Sequence, residues 1–172
     1  MDIIINTHNK KKLAETNKDT QHPDKQDRKL KCNCRESTEC PVDGRCRTEN
    51  AIYRATIYPV ENMYDQRTYI GISAGSWKQR FYNHRYSFSN PGQKNQTELS
   101  KYFWRLKEDN LTPHVKWQII RTSSTPINFK SKCPLCLEEK IEIVRFKDRG
   151  KLLNSRNELI FKCRHKSKYK LG

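Results

Sequence analysis

The sequence predicts an α+β domain with two cysteine-rich elements and disordered ends, and three observations lead there. Residues 51–60 and 67–72 alternate apolar and polar side chains at period two, as pleated strands do, while 97–109 and 134–147 repeat apolar residues at helical spacing. Seven cysteines fall in two groups that frame this region: Cys32, Cys34, Cys40 and Cys46 before it, and Cys133, Cys136 and Cys163 at its far end. A chain of 172 residues has room for one modest core with appendages.

Composition narrows the class. With 34% hydrophobic and 31% charged residues the chain lies toward the polar end of the globular range, which implies a compact centre and disordered ends. The balance of 35 Lys plus Arg against 19 Asp plus Glu, net +16, exceeds what solubility requires and points to a polyanionic partner, nucleic acid before an anionic membrane. No stretch approaches the roughly 20 apolar residues that cross a bilayer, and residues 1–5 are too short for a signal-peptide core. The expected location is intracellular and, with DNA as partner, nuclear; a small-molecule ligand is not expected. An odd cysteine count without a secretory segment favours metal ligands or reduced thiols over a disulfide scaffold.

In chain order, residues 1–31 are polar, without apolar periodicity, and read as a disordered tail. Residues 32–48 hold the first four thiols among turn-formers such as Asn33, Pro41, Asp43 and Gly44, a setting for a zinc knuckle; free thiols and disulfides are the alternatives. The main domain spans 50–165. In its first strand, Ile52, Arg54, Thr56 and Tyr58 alternate with Tyr53, Ala55 and Ile57. A hairpin loop containing Asn62 and Asp65 returns the chain into the strand 67–72, which brings Tyr53 near Tyr69. Ala74-Gly75 breaks that strand, and Ser76 followed by Gln79 forms a capping box for a helix to about Tyr86. On that helix Arg80 and His84 share a face at i, i+4, beside Trp77 and Phe81.

Thr97 caps a second helix whose Leu99, Tyr102, Phe103 and Leu106 form a core stripe. Val115, Trp117 and Ile119 alternate with Lys116 and Gln118 in a third strand, and a polar loop follows over 121–132. Cys133-Pro134 opens a third helix. Glu138 and Glu142 fall beside Arg145 on its polar face, whereas Glu139 falls among Leu135, Ile143 and Phe146. A carboxylate on an apolar face is either salt-bridged at the core edge or aimed into a site. After a turn at Asp148-Arg149-Gly150, Ser155 and Glu158 cap a last helix, and 166–172 is a basic tail. Cys133, Cys136, Cys163 and His165 complete a Cys₃His set suited to zinc.

Ile52-Tyr53, Tyr69-Ile70-Gly71, the helical Arg80, the later Glu139 and Asn154 beyond it together resemble the GIY-YIG nuclease superfamily over residues 50–160. The cysteine groups, the string Trp77-Lys-Gln-Arg-Phe-Tyr-Asn-His84 and the block Cys133-Pro-Leu-Cys136-Leu-Glu-Glu139-Lys more narrowly resemble the endonuclease domain of Penelope-like retroelements. This chain has Ala51 where the family motif has glycine, and it contains no polymerase motif. The resemblance implies a small three-stranded antiparallel sheet flanked by helices and single-strand nicking of DNA. It implies Tyr53 and Tyr69 facing the phosphate, Arg80 holding it, Glu139 ligating Mg²⁺ or Mn²⁺, Asn154 fixing the metal-side geometry and His84 assisting proton transfer. A reverse transcriptase of the parent element is the implied protein partner.

Those residue types suit phosphodiester hydrolysis, in which a cation must sit near the accumulating charge and a base must deprotonate water. Either Tyr53 or His84 can be that base; His84 titrates near neutrality unaided. Lys78, Arg85, Lys162, Arg164, Lys166 and Lys168 are the candidate nucleic-acid contacts. The alternative reading is a zinc-bearing nucleic-acid-binding module without catalysis.

Overall fold

The computed structural model describes residues 32–123, 133–155 and 163. Its regular elements run β1 (Ala51–Pro59), β2 (Arg67–Ser73), α1 (Trp77–Ser89), α2 (Glu98–Glu108), β3 (Pro113–Thr122) and α3 (Pro134–Arg145). The strands form one antiparallel sheet in the order β2-β1-β3. The β1–β2 hairpin is closed by its loop polar residues as expected: Asn62 N–H donates to Pro59 O, and the Asn62 side chain accepts from Tyr64 N–H at 3.2 Å. β3 is longer than its alternation indicated, extending back to Pro113 opposite Pro59.

β1 is paired along both edges by β2 and β3, and both its faces are covered by packed helices and cysteine segments. Ala51, Tyr53, Ala55 and Ile57 join a core with Tyr69, Ile119, Trp77 of α1, and Leu99 and Leu106 of α2; Cys40, Val42 and Cys46 pack into the same cluster. Ile52, with Ile70 of β2, joins Leu135 and Ile143 of α3 and Cys133 in a second core. The molecule is therefore three layers deep, with α1, α2 and the first cysteine group on one face of the sheet and α3 with the second group on the other. Trp77 anchors the first core. Burying a side chain of its size removes on the order of 200 Å² from water and contributes about 5 kcal/mol. That outweighs the roughly 1–3 kcal/mol cost of its indole N–H, which finds no hydrogen-bond partner among the described residues.

The helix ends follow the local chemistry with one change. Ser76 accepts from Gln79 N–H at 3.4 Å, but the Gln79 side chain donates to Asn83 and does not return to Ser76. The first-turn amides of α1 are satisfied from elsewhere: Trp77 N–H donates to Thr48 O and Lys78 N–H to Cys46 O, each at 2.7 Å. The helix start is thus seated on the first cysteine segment. The helix continues to Ser89, past the expected end at Tyr86. Thr97 caps α2 in a box completed by Ser100, and Trp104 Nε1 donates to Ser87 O at 2.8 Å, pinning α2 to α1. In α3, Glu142 pairs with Arg145 at 3.8 Å as its helical face suggested, and also with Arg121 of β3 at 3.2 Å.

Beyond α3 a short 3-10 turn, Arg149–Lys151, leads residues 152–154 along the outer edge of β2. Leu153 N–H donates to Thr68 O at 2.7 Å, and Leu152 bridges Thr68 in parallel sense. A strand edge that would otherwise offer open pairing groups is covered in this way. The expected disordered tail over 1–31 and the expected last helix beyond Ser155 lie outside the described residues, as does the 166–172 tail. Among the described residues no helix is long and apolar enough to cross a membrane.

Candidate functional site

Antiparallel register places Tyr53 of β1 directly opposite Gly71 of β2. The tyrosine ring lies across the glycine: a Cβ at position 71 would sit 2.5 Å from Tyr53 Oη and 2.9 Å from Tyr69 Cε1. The missing side chain is what lets the two tyrosines converge, with ring centroids 6.5 Å apart.

From the helix above, Arg80 and His84 reach the same hydroxyl. Tyr53 Oη lies 2.7 Å from His84 Nε2, and Arg80 Nε donates to Tyr53 Oη at 3.0 Å. The i, i+4 spacing makes this possible, since both side chains leave one face of α1. Trp117 of β3 closes the pocket, with its ring centroid 5.9 Å from that of Tyr53 and 5.2 Å from that of His84. Tyr53 is fully buried, Tyr69 is 4% exposed and His84 2% exposed.

Burial, and then the Arg80 charge, push the His84 pKa down to about 3. The imidazole is therefore neutral near pH 7 and has one nitrogen able to accept. With Arg80 Nε–H directed at the same oxygen, the consistent arrangement has the Tyr53 O–H donating to His84 Nε2. Arg80 is held above its ordinary pKa chiefly by the negative charge that Tyr53 bears when ionised, with Tyr69 and Glu139 adding to it against the effect of burial. The same attraction favours a phenolate at Tyr53 whenever its proton leaves.

Glu139 is half-buried on α3, on the stripe between the buried Leu135 and Ile143 where helical periodicity put it. Its charge adds the smallest share to the raised Arg80 pKa, behind Tyr53 and Tyr69. Asn154 sits on the far edge of β2. Its Oδ1 accepts from Ile70 N–H and its Nδ2 donates to Ile70 O, both at 2.8 Å. The amide thus clamps the residue between Tyr69 and Gly71.

The first cysteine group is compact. The sulfurs of Cys32, Cys34, Cys40 and Cys46 lie within 4.8 Å of one another, with Cys46 3.5 Å from Cys32 and 3.8 Å from Cys34. Four thiolates around zinc at about 2.3 Å would have edges of about 3.8 Å, so the donor set and spacing could hold such an ion. The Cys34 backbone N–H donates to Cys32 Sγ at 3.4 Å and lowers the Cys32 pKa to about 7. Burial and then the neighbouring thiols push Cys34 up to about 12, and burial raises Cys46. A dication would reverse that resistance to ionisation. Cys133, Cys136 and Cys163 form the second group, also within 4.8 Å, with Cys136 and Cys163 sulfurs 3.4 Å apart. Burial raises the Cys136 pKa. The fourth expected ligand, His165, lies outside the described residues.

Of the expected nucleic-acid contacts, Arg85 is exposed on α1. Lys78 is tied down, its Nζ donating to Asn33 O at 2.7 Å and Asn33 Oδ1 at 2.9 Å, which fastens the first cysteine segment to α1. Lys162, Arg164, Lys166 and Lys168 lie outside the described residues. Three contributors escaped the sequence reading in these roles: Gly71 as the gap under Tyr53, Trp117 as the lid of the pocket and Asn33 as the partner of Lys78. Only Gly71 had a signal, its place two residues after Tyr69 in a strand, where glycine often marks close approach. Comparison with protein-family models, with curated proteins and with solved structures gives no match, so an assignment of function rests on this geometry.

Proposed function

We propose that this chain is a metal-dependent DNA endonuclease of GIY-YIG type, similar to the endonuclease domain of Penelope-like retroelements, that makes single-strand nicks. The observation that carries the reading is the shared Tyr53 hydroxyl, 2.7 Å from His84 Nε2 and 3.0 Å from Arg80 Nε. A tyrosine packed for stability alone has no need of a buried neutral imidazole on one side and a guanidinium on the other. Tyr53 takes the proton of the attacking water as the phenolate, having given its own proton up to solvent; Arg80 stabilises that phenolate and the neutral His84 holds the oxygen in place. His84 Nε2 is taken up by the Tyr53 hydroxyl and its imidazole resists protonation down to about pH 3, so of the two candidate bases Tyr53 is the one assigned.

Only Nε of Arg80 is engaged with Tyr53, which leaves its terminal nitrogens to the phosphate in the planar geometry that suits a phosphodiester oxygen pair. Glu139 is the carboxylate that would hold Mg²⁺ or Mn²⁺. One carboxylate with water and substrate oxygens is an ordinary ligand set for Mg²⁺, and the ion supplies Lewis-acid stabilisation of the charge that accumulates on phosphate. Asn154 acts at one remove by holding the β2 backbone beside Tyr69. Zinc in the two cysteine groups would brace the start of α1 from one side of the sheet and the start of α3 from the other. DNA, and a reverse transcriptase of a parent element, are the partners this reading implies, with action in the nucleus.

One observation favours a second reading. Tyr53 is fully buried and Tyr69 nearly so, which fits a zinc-bearing nucleic-acid-binding module without cleavage as long as no water reaches Tyr53. Supercoiled plasmid separates the two. The endonuclease converts it to nicked circles with Mg²⁺, loses this in EDTA, and regains it with Mg²⁺ plus Zn²⁺ but not Zn²⁺ alone. Arg80→Ala and Glu139→Ala bind the plasmid and leave it supercoiled. If wild type nicks no more than those variants, the binding module stands. Elemental analysis tests the cysteine groups: two zinc per chain are expected, with one lost in Cys46→Ser and the other in Cys136→Ser.

A further inference from the structure

The face of α1 turned away from Tyr53 carries Tyr82, Arg85 and Tyr86. The two tyrosines stand one helical turn apart and are 48% and 58% exposed. Against α2 they border an open groove of about 520 Å³, completed mainly by Phe88, Phe103 and Lys107. Phe88 and Phe103 stack with centroids 4.1 Å apart and planes within 8°. Lys107 Nζ stands 5.1 Å from the Phe103 centroid and 4.8 Å from that of Trp104, while the Arg85 guanidinium stands 6.0 Å from that of Phe81. Among the described residues no acidic side chain lines the groove. Among the described residues neither cation joins an ion pair.

Rings this exposed keep apolar area in water, and cations without counter-charge raise the local potential; both costs fall when a flat ring bearing an anion enters. A nucleotide has that form. In a duplex the base faces are already stacked on each other, so the complementary partner is an unpaired strand, whose bases stack on aromatic side chains while its phosphates meet cations. We infer that the α1–α2 groove holds one unstacked nucleotide of a single-stranded segment, its base against the aromatic lining and its phosphate at Arg85 and Lys107. This rests on the nucleic-acid reading above but does not require cleavage. The location is consistent with it: the His84 ring packs on Phe88 at 6.0 Å and 29°, so the groove backs onto the wall of the Tyr53–His84 pair.

The test is binding of a fluorescein-labelled oligothymidylate to the full chain in Mg²⁺-free buffer, followed by anisotropy over a salt series. Wild type should bind it; Tyr82→Ala and Tyr86→Ala should each weaken binding roughly 5- to 150-fold, the range that stacking on one side chain covers. Tyr82→Phe, which keeps the ring, should bind as wild type. Arg85→Ala with Lys107→Ala should lower the log–log salt slope by about 0.7 for each phosphate that no longer meets a cation. The inference is overturned if wild type does not bind the strand, if the alanine variants bind it as well as wild type, or if polyglutamate competes as effectively as unlabelled oligothymidylate. Plasmid nicking by the groove variants is measured alongside: nicking with unchanged strand binding removes the groove alone, whereas strand binding without nicking by any variant or wild type removes the endonuclease alone.

Discussion

The Tyr53 hydroxyl and His84 Nε2 lie 2.7 Å apart in a pocket closed to solvent, although 31 positions separate them in sequence. Gly71 makes room for the tyrosine, Trp117 covers the pair and Arg80 supplies the nearby charge. Each of these supports has its own measurable consequence.

His84 makes stability fall on acidification. Its folded pKa is lowered from 6.5 to about 3, so between those values the unfolded chain takes up a proton that the folded chain refuses. The contribution is intact above about pH 6.5 and is lost as pH falls, at up to about 1.4 kcal/mol per unit. Urea unfolding at pH 7 and pH 4.5 should show a larger loss for wild type than for His84→Gln. Equal losses would remove the buried neutral imidazole from the account.

Gly71→Ala places a methyl against Tyr53 Oη and the Tyr69 ring. Overpacking of this kind costs about 1–3 kcal/mol, and it displaces the hydroxyl from both His84 and Arg80. A lower urea midpoint is expected, together with a loss of nicking out of proportion to the loss of folded protein. A variant as stable as wild type would show that the ring has another place to go.

Arg80→Lys keeps the charge but removes the Nε–H and the planar fork. If that geometry stabilises the transition state, nicking should drop about 10²- to 10³-fold while plasmid affinity stays within a few-fold of wild type. Activity close to wild type would mean that charge alone suffices there.

Asn154→Asp keeps the oxygen that accepts from Ile70 N–H and replaces the donor to Ile70 O with a second oxygen. Facing two acceptors should cost about 1–3 kcal/mol at neutral pH, read by thermal or urea unfolding without any substrate. Undiminished stability combined with lost nicking would instead place Asn154 at the metal side, as the family resemblance implied.

Much of the fold was legible because it is local. The alternation through Ile52 and Ile70, the Ser76 and Thr97 caps and the spacing of Leu99 and Leu106 depend on neighbours within a turn or a pleat. The six candidate site residues 53, 69, 80, 84, 139 and 154 stood out through the pattern of motifs, and strand pairing and helical spacing already put Tyr53 near Tyr69 and Arg80 beside His84, while the meeting of those two pairs was not legible. The reciprocal Gln79 cap failed for the opposite reason: the segment 46–48 supplies the carbonyls that α1 needs, and no local rule names a partner so far upstream.

The sequence by itself determined the element types, the helix starts, the two sets of thiols and the stripe that turns Glu139 inward, all consequences of residue type at fixed short spacing. Tertiary structure alone decided that β1 is the central strand, that Tyr53 lies over Gly71 and against His84, that Lys78 serves Asn33, and that Asn154 reaches 84 positions back to Ile70. Those contacts come from packing two layers onto both faces of a sheet. Periodicity specifies which side of an element is buried, whereas the partner it meets depends on how distant elements fill the space left between them.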